Sequence, residues 1–338
     1  MKKTILSLFV ALMATVVVQA QQISVVAEDG TTTSLYHTLQ EAIEGASPNS
    51  VIYLPGGGFS ISKTVNITKK LTIIGIGYNA KNGNVDGITT LSGDLFFDEG
   101  SDGSAVMGCY ITGAVIIGDS DGAKAPVNKV MVKYCNVGAV SVGKSATKGT
   151  IIAQNFIRGN TETNFGNSEV TISNNIITCT IWSVGGGKIS NNIFAYGYGT
   201  NSYSILNLYY VSNTTITGNI FKSLAGHNGS NCPTSNNLVV GGRAWGDEPI
   251  DISVTAEELF ADYSNWSVST NAWNVNTNSD FHFNEAYKDY ESKVGVYAGT
   301  GFSKKGMSPV PYIVAKQVAE QTDASGNLNI KIRVSAGE

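Results

Sequence analysis

Short alternations of apolar and polar positions run through most of this chain, and one phrase keeps returning. It reads apolar, two small or polar residues, Asn or Cys, any residue, apolar. With Asn it occurs at Ile152–Asn155–Ile157, Ile172–Asn175–Ile177, Ile189–Asn192–Phe194 and Ile216–Asn219–Phe221. With Cys it occurs at Val106–Cys109–Ile111 and Val132–Cys135–Val137. Successive slots lie 26, 20, 20, 17 and 27 residues apart. Strand-like pieces repeating every 20–25 residues or so predict stacked coils, a solenoid. An inward Asn at a turn can bond its own turn and the amide one coil away; left unpaired it would cost about 1–3 kcal/mol. Asn155, Asn175, Asn192 and Asn219 are therefore expected to form one hydrogen-bonded column that starts at Asn155, after the two Cys positions.

The flanking segments read differently. Ile23 to Val26 predicts a first strand, and Thr38-Leu39-Gln40-Glu41 a capping box that opens a helix. Leu39, Ala42, Ile43 and Ala46 share one face of that helix, and Pro48 and Asn49 end it. Val51 to Leu54 predicts a strand stopped by Pro55 and three glycines; Thr64 to Ile67 and Leu71 to Ile74 continue the rhythm. A solenoid leaves an apolar end that must be covered, and an amphipathic helix before the first coils would do so. The rhythm stops after Trp245. Thr255 to Phe260 predicts a short helix, Ser264 to Asp280 is polar and Asn-rich, and Gly306 to Pro311 is a hinge. Tyr312 to Val318 and Leu328 to Val334, around the turn Asp323 to Gly326, predict a terminal hairpin with one face buried on the solenoid.

The capping helix, the Pro-Gly turn after Leu54 and the segment Leu71 to Gly75 together resemble the opening of secreted pectate-lyase-like right-handed β-helix proteins, over roughly residues 23–245. The repeated Asn is similar to that superfamily's asparagine ladder, and Phe281 to Pro311 is similar to C-terminal caps of secreted bacterial β-helix proteins. The resemblance implies an all-β, single-stranded right-handed parallel β-helix over residues 21–245. An N-terminal capping helix and a C-terminal cap with hairpin over 246–338 would complete it. It leaves the activity open, because coils of this kind carry diverse reactions.

Export is expected from the N-terminus: Met1-Lys2-Lys3, an apolar run from Ile5 to Val18, then Ala20, read as a signal peptide over residues 1–20. The destination would be periplasm, cell surface or medium, with no membrane span after cleavage. A formal net charge of −4 gives no reason to invoke nucleic acid. The four cysteines of an exported protein raise the question of disulfides. Cys109 and Cys135 in stacked slots would be close enough to bridge, but their parallel side chains favour buried thiols. Cys179 and Cys232 have no obvious mates.

Enzymes of the resembled superfamily mostly act on acidic polysaccharides. Lyases use a Lys or Arg base with Ca²⁺ or a basic residue neutralising the acid, and hydrolases use clustered Asp. From Thr150 to Trp245 there is no Asp, and Glu162 and Glu169 are the only acids. That disfavours both a clustered-Asp hydrolase and a Ca²⁺-assisted lyase, and no cofactor is predicted. Arg158, Lys188, Lys222 and Arg243 remain as weak candidates for a metal-independent base. An earlier acidic group, Asp94, Asp98, Glu99, Asp102, Asp119 and Asp121, contains a fragment of a Ca²⁺-loop spacing but reads best as solvated turns. His37, His227 and His282 are far apart in sequence, with no zinc spacing. Trp182, Tyr196, Tyr198, Tyr203, Tyr209, Tyr210 and Trp245 crowd into a stretch with few charges. They could pack under loops or stack on sugar rings along a groove. The expectation is an exported protein that binds polysaccharide or a cell-surface glycan without strong catalysis, Trp182, Tyr196, Tyr198, Tyr203 and Trp245 being the substrate contacts. The alternatives are a metal-independent polysaccharide lyase and a structural or adhesive surface protein.

Overall fold

The structure is a computed structural model that describes residues 22–335 except 62–64, 80–86, 120–123, 144, 160–162, 197–206, 223–226, 242–244, 251, 269–272, 305, 307–310, 320 and 322–324. The expected signal peptide lies outside the described residues. Among them, no helix is long and apolar enough to cross a membrane.

The fold is all-β and dominated by two large, mainly parallel sheets, of 13 and 11 strands. The chain passes back and forth between them. Val51–Tyr53, Thr72–Ile74, Ala105–Met107, Met131–Lys133, Lys148–Ala153, Thr163–Ser173 and Ile181–Ser190 follow one another across the first sheet. Tyr110–Ile117, Asn136–Val142, Phe156–Ile157, Ile176–Ile177, Ile193–Phe194, Ile220–Phe221 and Leu238–Val239 do so across the second.

Register follows from the pattern of one apolar residue per slot-flanking position. Ile52, Ile73, Val106, Val132, Ile152, Ile172, Ile189 and Ile216 pair in line across the first sheet. Leu91, Ile111, Val137, Ile157, Ile177, Phe194 and Phe221 do the same across the second. All of these are completely buried and belong to one core between the sheets. A one-residue slip would turn every member of a row outward, so burial holds the register. Phe194 and Phe221 stack with centroids 4.7 Å apart.

The slot residues sit where the chain leaves the first sheet for the second. Asn155 Nδ2 donates to Asn175 Oδ1, Asn175 Nδ2 to Asn192 Oδ1 and Asn192 Nδ2 to Asn219 Oδ1, each at 3.0 Å. Each Oδ1 also accepts the backbone N–H of the slot before it, beginning with Cys135. The column runs one step further than the sequence reading had it: Asn219 Nδ2 donates to Asn237 Oδ1 at 3.0 Å. Thr234, only 9% exposed, takes the apolar position of that repeat, which hid it from the pattern. Cys109, Cys135 and Cys179 are buried free thiols, and Cys232 is a half-buried one.

The residue just before each slot has a left-handed backbone. Gly108, Tyr134, Gln154, Asn174, Asn191, Gly218 and Asn236 all have φ between 52° and 68°. This sharp corner explains why Asn and Gly recur there, since both tolerate positive φ. It also directs a second row of side chains outward, beside the inward column.

At the N-terminal end the helix Leu39–Gly45 carries the Thr38/Glu41 capping box and buries Leu39, Ala42 and Ile43 in the core of the sheets. Lys69 Nζ donates to the carbonyls of Glu44 and Ala46 at its C-terminus, where a cation is favoured. The glycines after Pro55 differ from expectation. Gly57–Ser60 is itself a strand, paired with Thr89–Ser92.

A long C-terminal strap, about residues 254–302, covers the outer face of the second sheet. Phe156, Ile176, Ile193, Ile220 and Leu238 form an outward apolar row there, in register. Leu259, Phe260, Trp266, Trp273, Phe281 and Phe283 pack on it. The outward corner amides fasten the strap. Gln154 Nε2 donates to the carbonyls of Thr300 and Gly301, and Asn174 Nδ2 to those of Val296 and Ala298.

The terminal hairpin, Tyr312–Val318 with Ile330–Ser335, forms an antiparallel pair. Its expected burial is a correction: Leu328, Ile330, Ile332 and Val334 are 46–56% exposed.

Candidate functional site

Where the strap lies over the second sheet, it leaves an open cleft of about 510 Å³. The floor is the outward side of the sheet: Tyr110 pairs with Asn136, and Asn136 with Phe156. Arg158 and Thr178 follow two residues beyond Phe156 and Ile176, in one column; the strap residues Trp273 to Thr277 make the facing wall. A smaller hollow of about 270 Å³ continues the cleft past Tyr110 and Asn136 to Asn79 and Thr90. Asn79 anchors the strap there, its Nδ2 donating to the carbonyls of Thr277 and Lys304. No carboxylate lines either part among the described residues.

Arg158 is held in this cleft by several bonds. Its Nη1 donates to Asn136 Oδ1 at 2.5 Å, and its Nη2 to the carbonyls of Ile111 and Thr112 at 2.6 and 3.1 Å. The guanidinium lies over the Tyr110 ring at 4.5 Å from its centre, a favourable cation–π geometry. Burial pushes its pKa down, with the Tyr110 charge acting against that. Three acceptors nevertheless engage it as a cation, so it is a fixed positive group and a poor base. Lys222 lies in the same column, three strand steps on through Thr178 and Ala195. Burial lowers its pKa. Three steps are about 14 Å, too far for both to serve one reacting atom. Lys188 is exposed on the first sheet, between Thr171 and Thr215. Arg243 lies outside the described residues. The candidate bases are therefore not brought together.

The aromatic candidates also divide. Tyr196 lines the cleft with Arg158 and Thr178, and its carbonyl accepts the Asn207 amide. Trp182 belongs to another surface, on the first sheet, where it packs on Tyr209 at 4.1 Å and near Tyr210 at 6.0 Å. Trp245 sets Phe221 against its ring edge-on at 5.3 Å and packs on the core. Tyr198 and Tyr203 lie outside the described residues. A single groove formed by Trp182, Tyr196 and Trp245 is not what the fold builds: Trp182 packs on Tyr209 at the first sheet, Tyr196 lines the cleft under the strap, and Trp245 packs against Phe221 on the core. Tyr110, Asn136 and Trp273 were missed as cleft residues. Only the position of the strap reveals them.

The early acidic residues serve separate turns. Asp94 accepts the Ala114 N–H, Asp102 that of Asn128, and Asp98, 3% exposed, pairs with Lys124. No group of three or more metal-ligating side chains occurs among the described residues; Asp121 and Glu162 lie outside them. Glu169 is exposed on the first sheet. His37 is exposed before the capping helix, and the side chain of His227 lies outside the described residues.

No protein-family model, curated protein or solved structure matches this chain.

Proposed function

We propose that this chain is an exported right-handed parallel β-helix of the pectate-lyase-like kind that binds an acid-bearing polysaccharide in the cleft under its strap, without strong catalysis. The β-helix reading is supported by parallel, in-register strands that alternate between two sheets in chain order, and by the column of buried amides at one corner. The binding reading rests on one observation above all: aromatic faces, amides and a fixed guanidinium line an elongated cleft that has no carboxylate among its described lining residues. Tyr110 and Tyr196, both partly exposed, offer ring surface to sugar rings, while Thr178 and Asn274 offer hydrogen bonds to hydroxyls. The Arg158 cation, with no acid facing it among the described lining residues, favours a carboxylate on the ligand.

Electrophoresis in native gels containing acidic or neutral polysaccharides tests this. Retardation by acidic polymers is expected, and Tyr196→Ala should weaken it. Unchanged mobility with every polymer would favour the structural or adhesive alternative and end the binding proposal. The lyase alternative requires a rise in ultraviolet absorbance from unsaturated uronic products, and no rise is expected.

A further inference from the structure

We infer that a second pocket, which shares no lining residue with the cleft, binds an uncharged polyhydroxyl ligand of the size of one sugar residue. This pocket, of about 510 Å³, opens between the corner residues Tyr134 and Gln154 and the strap residues Asp280, His282 and Tyr297, with Lys304 just past the strap. It goes beyond the proposed polysaccharide cleft in place and in chemistry.

The first observation is an unmatched acceptor. Gln154 is only 5% exposed. Its Nε2 gives both hydrogens to the strap, to Thr300 O at 3.2 Å and Gly301 O at 2.7 Å. Its Oε1, on the other arm of the amide, has no hydrogen-bond partner. The next corner is built alike but is complete: Asn174 Nδ2 holds the strap, and Asn174 Oδ1 accepts Thr300 Oγ1 at 3.0 Å. Buried polar atoms are nearly always paired. The corner that departs from this lines the pocket, and it lacks a donor.

The second observation is the facing wall. Glu291 Oε1 lies 2.5 Å from His282 Nδ1, while Glu291 Oε2 takes Lys288 Nζ at 2.7 Å and the Phe283 N–H at 3.1 Å. The imidazole also stacks on Tyr297, centroids 3.9 Å apart and planes 8° apart. The ring is thus held at one nitrogen and one face, and Nε2 is the edge it can present to a ligand. Tyr297 donates to Asp280 Oδ1 at 3.2 Å, and Lys304 Nζ lies 3.5 Å from Asp280 Oδ2. Each carboxylate is already matched by a lysine, which leaves little to attract a net charge. Acceptors at Gln154, Asp280 and His282 Nε2, the imidazole proton being held at Nδ1 by Glu291, share the pocket with a donor at Lys304. Hydroxyl groups, which donate and accept at once, satisfy such a set. Tyr134 and Phe302 add ring faces for the carbon side of a sugar.

The chain has three histidines, so the imidazole C–H signals can be assigned by comparison with His282→Gln and followed by NMR. Titration uses methyl glucoside, methyl galactoside and methyl mannoside as uncharged probes and galacturonate as the charged one. At least one uncharged glycoside should shift the His282 signal saturably and leave His37 still. Gln154→Met, which keeps the length and removes the oxygen, should weaken that binding about fivefold or more. Asp280→Asn leaves the Gln154 strap bonds alone and should weaken it too, which keeps the test decisive if Gln154→Met loosens the strap. Tyr196→Ala should leave the titration unchanged, so failure here and failure of the cleft proposal are read separately. No saturable shift with any glycoside, a response to galacturonate alone, or full affinity in both pocket variants would overturn the inference.

Discussion

Replacing Asn192 by Leu should destabilise the protein much more than replacing Asn155 by Leu, although both side chains are fully buried in the same column. Asn192 makes four side-chain bonds. Nδ2 donates to Ile172 O at 2.9 Å and to Asn219 Oδ1 at 3.0 Å. Oδ1 accepts the Asn175 backbone N–H at 2.9 Å and Asn175 Nδ2 at 3.0 Å. A leucine of similar size strands two donors on Asn175, the backbone N–H and one amide hydrogen. Asn155 stands at the start of the column, above Cys135. Its Oδ1 accepts only the Cys135 N–H, at 2.9 Å, so Asn155→Leu strands one donor. The carbonyls that lose a bond, Ile172 O and Val132 O, are equivalent in the two variants and cancel. At about 1–3 kcal/mol per stranded buried donor, Asn192→Leu should cost about 2–6 kcal/mol and Asn155→Leu about 1–3. Urea unfolding followed by far-ultraviolet circular dichroism reads the difference as a lower midpoint for Asn192→Leu. Equal midpoints for the two variants, or losses under about 0.5 kcal/mol in both, would refute the counting of stranded donors.

Acid should loosen the strap. Burial pushes the Glu291 carboxyl up, but hydrogen bonds from Lys288, His282 and the Phe283 N–H outweigh it and hold the pKa below the ordinary value. A carboxyl depressed in the folded state stabilises fully above its unfolded pKa, about 4.3, and loses that contribution as pH falls through the lower folded value. In a W182F/W245F background, fluorescence of Trp266 and Trp273 on the strap should therefore stay constant above about pH 5 and change below about pH 4; a flat signal down to about pH 3 would count against this. Burial pushes Cys135 up to about 12 and raises Cys109 as well. A thiol reagent should reach half-buried Cys232 first and these two only on unfolding; rapid labelling of Cys109 or Cys135 in native protein would contradict their placement. Ending the chain before Tyr312 removes a hairpin whose second strand leaves Ile330, Ile332 and Val334 exposed. The melting temperature should shift by less than about 2 °C, and a larger fall would mean that the hairpin packs on the body after all.

Much of the repeating part was legible because its causes are local. The Thr38/Glu41 capping box needs only residues three apart, and it forms. The apolar positions flanking each slot recur with the strand period, and they line the core. Asn237 escaped notice because Thr234 replaces the usual aliphatic residue. The outward corner row, from Tyr134 to Asn236, was not read from the sequence, since a left-handed backbone leaves no more trace there than a tolerance for Asn and Gly. The strap was harder to read. Its partners, Gln154 with Gly301 or Asn174 with Val296, are more than a hundred residues apart and carry no mutual spacing.

Taken alone, then, the order of residues determined the strand content, the capped N-terminal helix and the line of slot amides, because each depends on a spacing of a few residues or on a repeat short enough to recur within the chain. Only tertiary structure decided which face of the second sheet is covered, and hence which side chains line a cleft. The strap reaches that face by long-range packing of Phe260, Trp266 and Trp273 on an apolar row that is itself assembled from five separate strands. The scatter of Trp182, Tyr196 and Trp245 has the same origin. Neighbours in sequence here leave one sheet for the other within a few residues, so closeness along the chain says little about which surface a side chain joins.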